Sequence, residues 1–279
     1  MALESSVLAH GLPIPANREG ADRMIQAVRA LGVVPAITAV ARGVPVVGLE
    51  TQDLERFLNG ARIRKVSARD IPIAVTRGVD GATTVAAAIA LATLAGVDVF
   101  ATGGIGGVHR GGPIDESADL LELSRTQIVC VCAGAKSILD LPATWERLET
   151  LGIPVVGYQT DELPGFFTAS TGIPLTARAE SSAEIGRMFE AHVRIGRGQA
   201  MLVVNPPPPA QALGRREVDS AVDRALEDAK RAGIGGAALT PYLLESLARG
   251  TGGRSLSANL ALLESNARLA AEIAAAMRA

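Results

Sequence analysis

The chain has 279 residues, of which 48% are hydrophobic and only 3% aromatic, and its formal net charge is −2. This length suits a single α/β domain with a smaller lobe, covering residues 1–279. The near-neutral charge argues against a dedicated nucleic-acid binder and against a basic membrane-surface protein. No stretch reaches the ~18 uninterrupted apolar residues of a membrane-spanning helix, and the N-terminus lacks a basic-then-apolar signal. We therefore expect a cytoplasmic protein without nucleic-acid or membrane partners.

The N-terminal third alternates between predicted strands and helices. Residues 1–6 (MALESS) look like the tail of a strand that carries Glu4 at its end. Apolar runs bounded by turn residues predict strands, and amphipathic or Ala-rich periods predict helices. The predicted elements are a helix at 17–30, strands at 33–40 and 44–49, a helix at 51–58, a strand at 71–75 and an Ala-rich helix that opens at 80–84 and reaches 95.

A glycine-rich stretch at 98–140 is the centre of the sequence. An apolar strand at 97–100 ends in Thr102. Five glycines fall within the next nine residues: Gly103, Gly104, Gly106, Gly107 and Gly111. Because glycine accepts positive φ and lets a ligand approach the backbone closely, this loop is a candidate anion cradle. A second strand at 127–132 then leads to Lys136 at a predicted helix start.

The remaining residues continue the alternation. Ser117 can cap a short helix that reaches Leu123, with Asp115 and Asp119 one turn apart on one side of its start. The later predicted elements are a helix from 136 that is broken near 142 and resumes at 144–151, a strand at 153–157, a loop or lobe at 161–173, a helix at 181–196, a strand at 201–204 and a mainly helical C-terminus. The alternation predicts an α/β fold, a three-layer α/β/α sandwich around a mixed sheet with a smaller lobe.

Lysine is scarce in a chain with 27 basic residues. Lys65, Lys136 and Lys230 are the only lysines, and every other basic position is arginine. Arginine keeps its proton in proteins, whereas a lysine amine can lose it and act as a nucleophile or base. Lys230 lies on the charged face of a predicted helix and is interpreted as surface. Lys65 and Lys136 follow apolar segments and precede small residues, which favours a chemical role for at least one of them.

Histidine and cysteine are also sparse. His10 and His109 fall in Gly/Pro-rich loops, whereas His192 belongs to an ordinary helix. Cys130 and Cys132 face the same side of one strand and are too close in sequence for a structural disulfide. We interpret them as buried free thiols rather than as metal ligands.

A series of short motifs is similar to those of a known family. In chain order they read ALESS, HGLPIP, RKVSARDIP, GATTVAAA, FATGGIGGVHRG, DESADL, VCAGAKSILDLPAT, GYQT, NPPP, TPYLLE and TGGRSLSANLALL. The series resembles the pseudouridine-5'-phosphate glycosidases, a family also called indigoidine synthase A-like. The resemblance covers essentially the whole chain, and TGGIGGVHRG together with CAGAKSILD is very specific.

The resemblance implies an enzyme that reversibly cleaves the C–C glycosidic bond of pseudouridine 5'-phosphate, giving uracil and ribose 5-phosphate. A C-glycoside has no glycosidic oxygen to protonate, so the two-carboxylate scheme of most glycosidases does not apply. In the family, a lysine attacks C1' as the ribose ring opens and forms an imine-linked adduct from which uracil departs. Lys136 matches this nucleophile, and Glu4 matches the general acid that protonates the ring oxygen.

The local sequence suits these two roles. A helix start at Lys136 would disfavour the ammonium form and leave more free amine. A carboxyl at the end of an apolar strand, as at Glu4, can have its pKa raised enough to hold a proton near neutrality.

The resemblance also implies a metal site and further substrate contacts. Asp115 matches the position that holds Mn²⁺, largely through water, which suits a hard cation. Lys65 matches a lysine that contacts the phosphate or the ribose as a point charge. The other matching positions are Val85, Ser117, Ala118 and Asp119 as substrate contacts, and Thr102, His109 and Asn259 as polar site residues. Because Asn259 belongs to the final helix, the C-terminus is expected to fold back over the site. Family members are homotrimers, so a homotrimer is expected.

Three features depart from the family pattern. The chain begins directly at the glutamate motif, where family members usually carry a helix and the first half of the strand. The loop between Arg110 and Asp115 is short, and the motif reads ESS where EST is more usual. The anchoring of Glu4 and the shape of the metal site are therefore questions for the structure.

Two other functions stay open. Relatives in pigment and polyketide pathways attach ribose 5-phosphate to an acceptor other than uracil, so the chain could be a C-glycoside-forming enzyme. A non-catalytic sugar-phosphate binder is a different class of hypothesis, and the presence of both Lys136 and Glu4 argues against it.

Overall fold

The computed structural model describes residues 1–59, 62–110, 115–235 and 239–278. The strands are β1 (Ala2–Leu3), β2 (Ala36–Ala41), β3 (Val44–Val47), β4 (Arg64–Val66), β5 (Gly81–Thr83), β6 (Val99–Ala101), β7 (Val129–Cys132), β8 (Val155–Tyr158), β9 (Arg178–Ala179) and β10 (Met201–Val204). The helices are α1 (Ala16–Arg29), α2 (Thr51–Leu58), α3 (Ile71–Thr76), α4 (Val85–Leu94), α5 (Ala118–Leu123), α6 (Leu141–Thr150), α7 (Ser182–Arg194), α8 (Arg215–Arg231), α9 (Leu239–Gly250) and α10 (Arg254–Ala276). A π-helical turn at Val7–Gly11 and a 3₁₀ turn at Ala68–Asp70 complete them.

All the strands belong to one sheet, in the order β4-β5-β2-β1-β6-β7-β10-β8-β9, with β3 also paired to β2. The strands from β2 to β9 along this order run parallel, while β3 and β5 run antiparallel to β2. Helices α1, α7 and α10 pack together, and α10 covers β6 and β7, while α4 packs on β1, β2 and α5. The predicted α/β fold with helical layers around a mixed sheet is confirmed.

The short first strand is held at the centre of this sheet. Ala2 lies opposite Ala36 of β2 and Phe100 of β6, so β1 is paired on both sides. Ala2 and Leu3 are fully buried. Two strand residues therefore suffice to anchor the chain at Glu4, because both neighbouring strands supply hydrogen bonds.

The core is built mainly from aliphatic side chains, and the few phenylalanines of the chain are buried within it. All residues of β7 and β10 are buried, as expected of parallel strands covered on both faces. Cys130 and Cys132 are buried free thiols, as predicted. Burial raises the pKa of Cys132 to about 12, which makes this thiol chemically inert. Within the described part of the chain, no helix combines the length and apolarity needed to cross a membrane.

The predicted strand at 71–75 is wrong, because this segment forms helix α3. Asp70 accepts a hydrogen bond from the Ser67 amide and closes a capping box ahead of it. Pro72 lies in the first turn, where its missing N–H is not needed. Residues 81–83, predicted to open the next helix, instead form β5 and pair with β2 and β4. Capping and sheet pairing thus override the β-branched and Ala-rich composition of these two segments.

The predicted helix start at Lys136 is also wrong. Helix α6 begins only at Leu141, where Asp140 caps it by accepting a hydrogen bond from the Ala143 amide at 3.0 Å. Pro142 therefore belongs to the first turn of a helix and does not interrupt one. Lys136 lies in the turn between β7 and α6, so no helix dipole acts on its amine.

One glycine in this turn gives a direct stability prediction. Gly134 has φ +86°, and a Cβ there would lie 2.3 Å from the Pro164 carbonyl oxygen. Gly196 has φ +77°, but a Cβ there would meet nothing within 4 Å. We expect Gly196→Ala to cost about 1–2 kcal/mol of folding free energy, the backbone strain alone. Gly134→Ala should cost a further ~1–3 kcal/mol through the collision. Urea denaturation of both variants measures the difference, and equal losses would show that the collision is relieved.

Candidate active site

Three neighbouring parallel strands deliver the central polar residues. β1, β6 and β7 are adjacent, and their carboxyl ends lie at the same edge of the sheet. Glu4 follows β1, Thr102 follows β6, and the turn after β7 carries Lys136. Residues far apart in the sequence therefore converge because of strand order.

Glu4 is a buried acid whose side chain is held in place. Its residue is 5% exposed, and its Oε1 accepts a hydrogen bond of 2.5 Å from the Thr102 hydroxyl. Burial raises the pKa of the Glu4 carboxyl above its usual value, although Lys136, the Thr102 hydroxyl and Lys65 favour the ionised form. Since burial outweighs these three, Glu4 can serve as a proton donor.

Lys136 is half-buried beside Glu4 on a backbone fixed by cross-strand hydrogen bonds. Its amide donates to the Ile105 carbonyl at 3.1 Å, and the Ile105 amide donates to Gly134 at 3.1 Å. Lys136 and Glu4 line one cavity of about 500 Å³. The arrangement places an amine and a buried carboxyl, whose pKa is raised by burial, against the same ligand space.

Lys65, on β4, completes a pair of lysines around this space. Partial desolvation and repulsion from Lys136 lower the pKa of the Lys65 amine, against the attraction of Asp119 and Glu4. Lys65 therefore lies close enough to Lys136 for the two charges to interact. An anionic ligand between them would relieve this repulsion.

The glycine run serves close packing rather than positive φ. None of Gly103, Gly104, Gly106 and Gly107 has a positive φ. A Cβ at Gly104 would lie 2.5 Å from the Phe166 ring, and one at Gly106 would lie 2.2 Å from the Ser117 hydroxyl. Glycine is required because side chains of other segments fill the space where a Cβ would be.

Asp119 joins this loop to helix α4. Its carboxylate accepts hydrogen bonds from the Gly106 amide at 2.8 Å and the Ala86 amide at 3.0 Å, and the residue is 5% exposed. Ser117 caps α5 as predicted, since its hydroxyl accepts a hydrogen bond from the Asp119 amide. Asp119 therefore fixes the positions of the Gly106 and Ala86 backbone amides beside the cleft.

Asp115 has a different environment from Asp119. Its side chain is 61% exposed, and its carboxylate lies 3.4 Å from His109 Nδ1. The His109 amide donates to the Asp115 carbonyl at 2.9 Å. Among the described residues no cluster of three or more His, Cys, Asp or Glu could hold a metal. A largely hydrated ion needs fewer protein ligands than such a cluster.

The other predicted positions surround the same space. A larger cleft, which also contains Glu4, Lys65 and Lys136, is lined by Val85, His109, Asp115, Ser117, Ala118 and Asp119. Asn259, on α10, lines the smaller cavity with Glu4 and Lys136. The final helix does reach the site, as the sequence led us to expect. The short loop at 111–114 lies outside the described residues.

Several lining residues carry no role in the sequence prediction. His10 and Phe166 line the smaller cavity, and Arg69 and Arg147 line the larger cleft. His10 follows Glu4 closely and is one of three histidines, which is a signal that sequence reasoning could have used. Phe166 has φ +66° and packs against Gly104 across the fold, so no local pattern marks it.

Known proteins share this arrangement of motifs and this fold. The family described as indigoidine synthase A like protein matches residues 1–276. The chain belongs to this family. It is 62% identical over 277 residues to the pseudouridine-5'-phosphate glycosidase of Gemmatimonas aurantiaca, covering 99% of this chain and 90% of the relative. The glycosidase of the same name from Herpetosiphon aurantiacus is 51% identical over 279 residues, covering 99% and 92%.

Two solved crystal structures have the same fold. An indigoidine synthase A-like protein of Thermotoga maritima superposes with a TM-score of 0.93 at 38% identity, covering 100% of this chain and 93% of the other. The prealnumycin C-glycosynthase AlnA, crystallised with ribulose 5-phosphate, gives 0.90 at 41% identity, covering 99% and 90%. AlnA is named as a synthase, whereas the two curated relatives are named as glycosidases.

The buried carboxyl predicts an unusual pH dependence of stability. Folding raises the pKa of Glu4 above its usual 4.5, so the native state binds this proton more tightly than the unfolded chain. The stability from Glu4 is complete below pH 4.5 and is lost as pH rises through the raised pKa. Glutamine cannot ionise. The free energy of unfolding of Glu4→Gln should therefore increase relative to that of the wild type as pH rises from 4.5 through the raised pKa of Glu4.

A surface glutamate provides a control of opposite sign. The Arg18 guanidinium lowers the pKa of the exposed Glu55 carboxyl below its usual 4.5. The free energy of unfolding of Glu55→Gln should therefore fall relative to that of the wild type as pH rises toward 4.5, and the difference should not change further above that pH. Urea denaturation across this pH range measures both differences. A Glu4→Gln difference that is flat or falls with pH would refute the raised pKa.

Proposed function

We propose that this enzyme of the indigoidine synthase A-like family is a pseudouridine-5'-phosphate glycosidase, which cleaves its substrate reversibly to uracil and ribose 5-phosphate. The observation that carries the proposal is the convergence on one cavity of Lys136 and Glu4, a buried carboxyl whose pKa is raised by burial. The curated relatives of that name, at 62% and 51% identity over nearly the whole chain, support the same substrate.

The chemistry assigned to these residues balances without an oxidant. The neutral amine of Lys136 bonds to C1', and the C1'–O4' bond breaks as Glu4 gives its proton to O4'. The attacking nitrogen then gives up its extra proton, and its lone pair forms the C1'=N bond as the C1'–C5 bond to uracil breaks. The electron pair of the broken bond stays on the base, and C5 takes up the proton that the nitrogen released. Water hydrolyses the remaining imine, which releases ribose 5-phosphate and restores the amine.

The phosphate is assigned to the side of the cleft at helix α4. Thr84 caps this helix, and its Oγ1 is buried without a partner. Val85 begins the helix and lines the cleft together with Lys65. A helix N-terminus, a free hydroxyl and a partly desolvated amine together suit a phosphate dianion. Asp119 positions this helix through the Ala86 amide.

A hydrated Mn²⁺ is assigned to Asp115. The residue fits such an ion, because its carboxylate is largely exposed and faces only His109 within the described residues. When bound, the cation would offset the negative charge of the substrate phosphate. Glu116 is a weaker candidate, since Arg147 Nε lies 2.8 Å from its carboxylate.

A second candidate is C-glycoside synthesis with a different acceptor. The likeness to AlnA at 41% identity supports it, although the glycosidases are more similar to this chain. The two candidates share Lys136, Glu4 and the phosphate side, and differ only in what occupies the base side. A homotrimer, which the family resemblance implies, and a cytoplasmic location, which the sequence composition led us to expect, belong to the same proposal.

Trapping of the imine tests the proposed chemistry. Reduction with borohydride in the presence of ribose 5-phosphate should add to the protein the mass of one ribose 5-phosphate less one oxygen atom. Lys136→Arg keeps the charge but cannot form the imine, so it should gain no mass and lose ~10³-fold or more of its activity. Lys230→Arg is the matched control and should behave as the wild type.

The same preparation separates cleavage from the alternative. Incubation of the wild type with ribose 5-phosphate and uracil should yield pseudouridine 5'-phosphate. Imine trapping without this product would favour another acceptor, and no trapping at Lys136 would overturn covalent catalysis altogether.

The metal assignment predicts a specific response to chelation. EDTA should lower the activity, and added Mn²⁺ should restore it. Asp115→Asn should require about tenfold or more Mn²⁺ for half-maximal restoration, because one carboxylate ligand is lost. Glu116→Gln is the control and should keep the wild-type requirement, since its carboxylate is already paired. Activity that survives chelation, or equal requirements in the two variants, would remove Asp115 from this role.

A further inference from the structure

Two buried hydrogen-bond acceptors beside Glu4 and Lys136 have no donor among the residues that the structure describes. They are His10 Nδ1 and Asn259 Oδ1. Both residues line the cavity of Glu4 and Lys136, and both also line an adjoining apolar pocket. Native proteins rarely leave buried acceptors unpaired, and a ligand often supplies the missing partner.

The hydrogen bond on the other side of the His10 ring settles which group is missing. His10 Nε2 lies 3.0 Å from the Ile63 carbonyl oxygen. A carbonyl only accepts, so Nε2 carries the hydrogen, and Nδ1 of the neutral ring has a lone pair. The amide of Asn259 can turn and offer either its oxygen or its NH₂. His10 therefore calls for a ligand that presents a hydrogen-bond donor, an N–H or an O–H, to Nδ1.

The surroundings of His10 point to a flat ring as the ligand. The apolar pocket has a volume of about 690 Å³ and adjoins the cavity of the catalytic pair. Its apolar walls are Leu12, Pro13, Phe167, Leu244 and Leu256. His10 itself lies on the π-helical turn Val7–Gly11, a rare conformation that occurs frequently at functional sites. Apolar walls with a few polar groups are typical of sites for planar heterocycles.

We propose that His10 is the specificity residue for the base, and that its Nδ1 accepts a hydrogen bond from a ring N–H while Asn259 reads a neighbouring polar group. The inference rests on the proposed function and deepens it. Uracil attached through C5 keeps both of its ring N–H groups, whereas an N-linked uracil has lost one of them. An acceptor fixed at His10 would therefore reject acceptors without an N–H, and it would favour C-linked over N-linked pyrimidines if it faces the N–H that N-linkage removes.

Two substitutions separate the two nitrogen atoms of this ring. Glutamine can place an NH₂ near the position of Nε2 and keep the bond to Ile63, but it lacks an acceptor at Nδ1. Asparagine can place an oxygen near Nδ1 but cannot reach Ile63. In the synthesis direction, His10→Gln should raise the KM for uracil about tenfold or more, with imine trapping by ribose 5-phosphate unchanged. His10→Asn should keep a KM closer to the wild-type value and have a lower Tm.

Methylated bases provide the complementary half of the test. 1-Methyluracil and 3-methyluracil each lack one N–H. The wild type should discriminate against one of them, and that discrimination should shrink in His10→Gln, because the partner of the missing N–H is already gone. Equal KM values for uracil in His10→Gln and wild type, or an equal rise in both variants, would overturn the role of Nδ1. Absence of imine trapping in the wild type would instead overturn the proposed function, and the base assignment with it.

Discussion

The burial of the Glu4 carboxyl is the constraint on which the rest of the site depends. An acid and an amine in contact with water would exchange a proton, leaving a carboxylate that cannot donate and an ammonium that cannot attack. Burial disfavours the carboxylate strongly enough to outweigh Lys136, Thr102 and Lys65, all of which favour it. The centre of a parallel sheet supplies this environment, since Ala2 and Leu3 are fully covered. The central position of β1 is thus a chemical requirement as well as a structural one.

The irregular backbone around Glu4 is fixed nearly as firmly as the sheet. The Ala133 amide donates to Gly103 at 2.9 Å, and the alternating bonds between Ile105, Gly134 and Lys136 carry the pairing of β6 and β7 beyond the ends of both strands. The glycines allow Phe166, Ser117 and other side chains to pack directly on this backbone. Since its backbone is held, the Lys136 amine is presented by a rigid support, as catalysis by orientation requires.

The sequence predicted the chemical groups of the site more accurately than the secondary structure around them. The scarcity of lysine pointed to Lys65 and Lys136, and the apolar run before Glu4 pointed to a buried acid. The predicted helix start at Lys136 is wrong. Pro142 lies in the first turn of helix α6 and does not break a helix. The segment at 71–75 was misassigned for a related reason: a capping box and a proline outweigh three β-branched residues. Both errors concern helix starts, where one cap decides the structure.

The sequence marks His10 as a rare histidine near Glu4, but the roles of His10 and Phe166 depend on contacts that no local pattern encodes. The hydrogen-bonding role of His10 depends on the Ile63 carbonyl. This carbonyl is distant in the sequence and determines which ring nitrogen carries the hydrogen. Phe166 matters because it fills the space above Gly104, again through a tertiary contact. Neither relation has a periodicity or a spacing. Residues whose role is defined by a partner in another segment become visible only when the fold brings the two together.

Glu4 and Lys136 lie between two different spaces, a polar cleft and a smaller cavity. A sugar phosphate could therefore place its phosphate in one space and the group attached to C1' in the other. Glu4, Lys65 and Lys136 line both the polar cleft toward α4 and the cavity toward α10. A pentose 5-phosphate has its phosphate and its reacting carbon at opposite ends of a five-carbon chain. If the phosphate is held at α4 as proposed, C1' would lie toward Lys136 and the group attached to it would extend toward His10 and Asn259. Cleavage and synthesis then use the same acid, amine and phosphate contacts. What distinguishes a glycosidase from a C-glycosynthase on this fold must therefore lie on the α10 side, in the few polar atoms and apolar walls that meet the base.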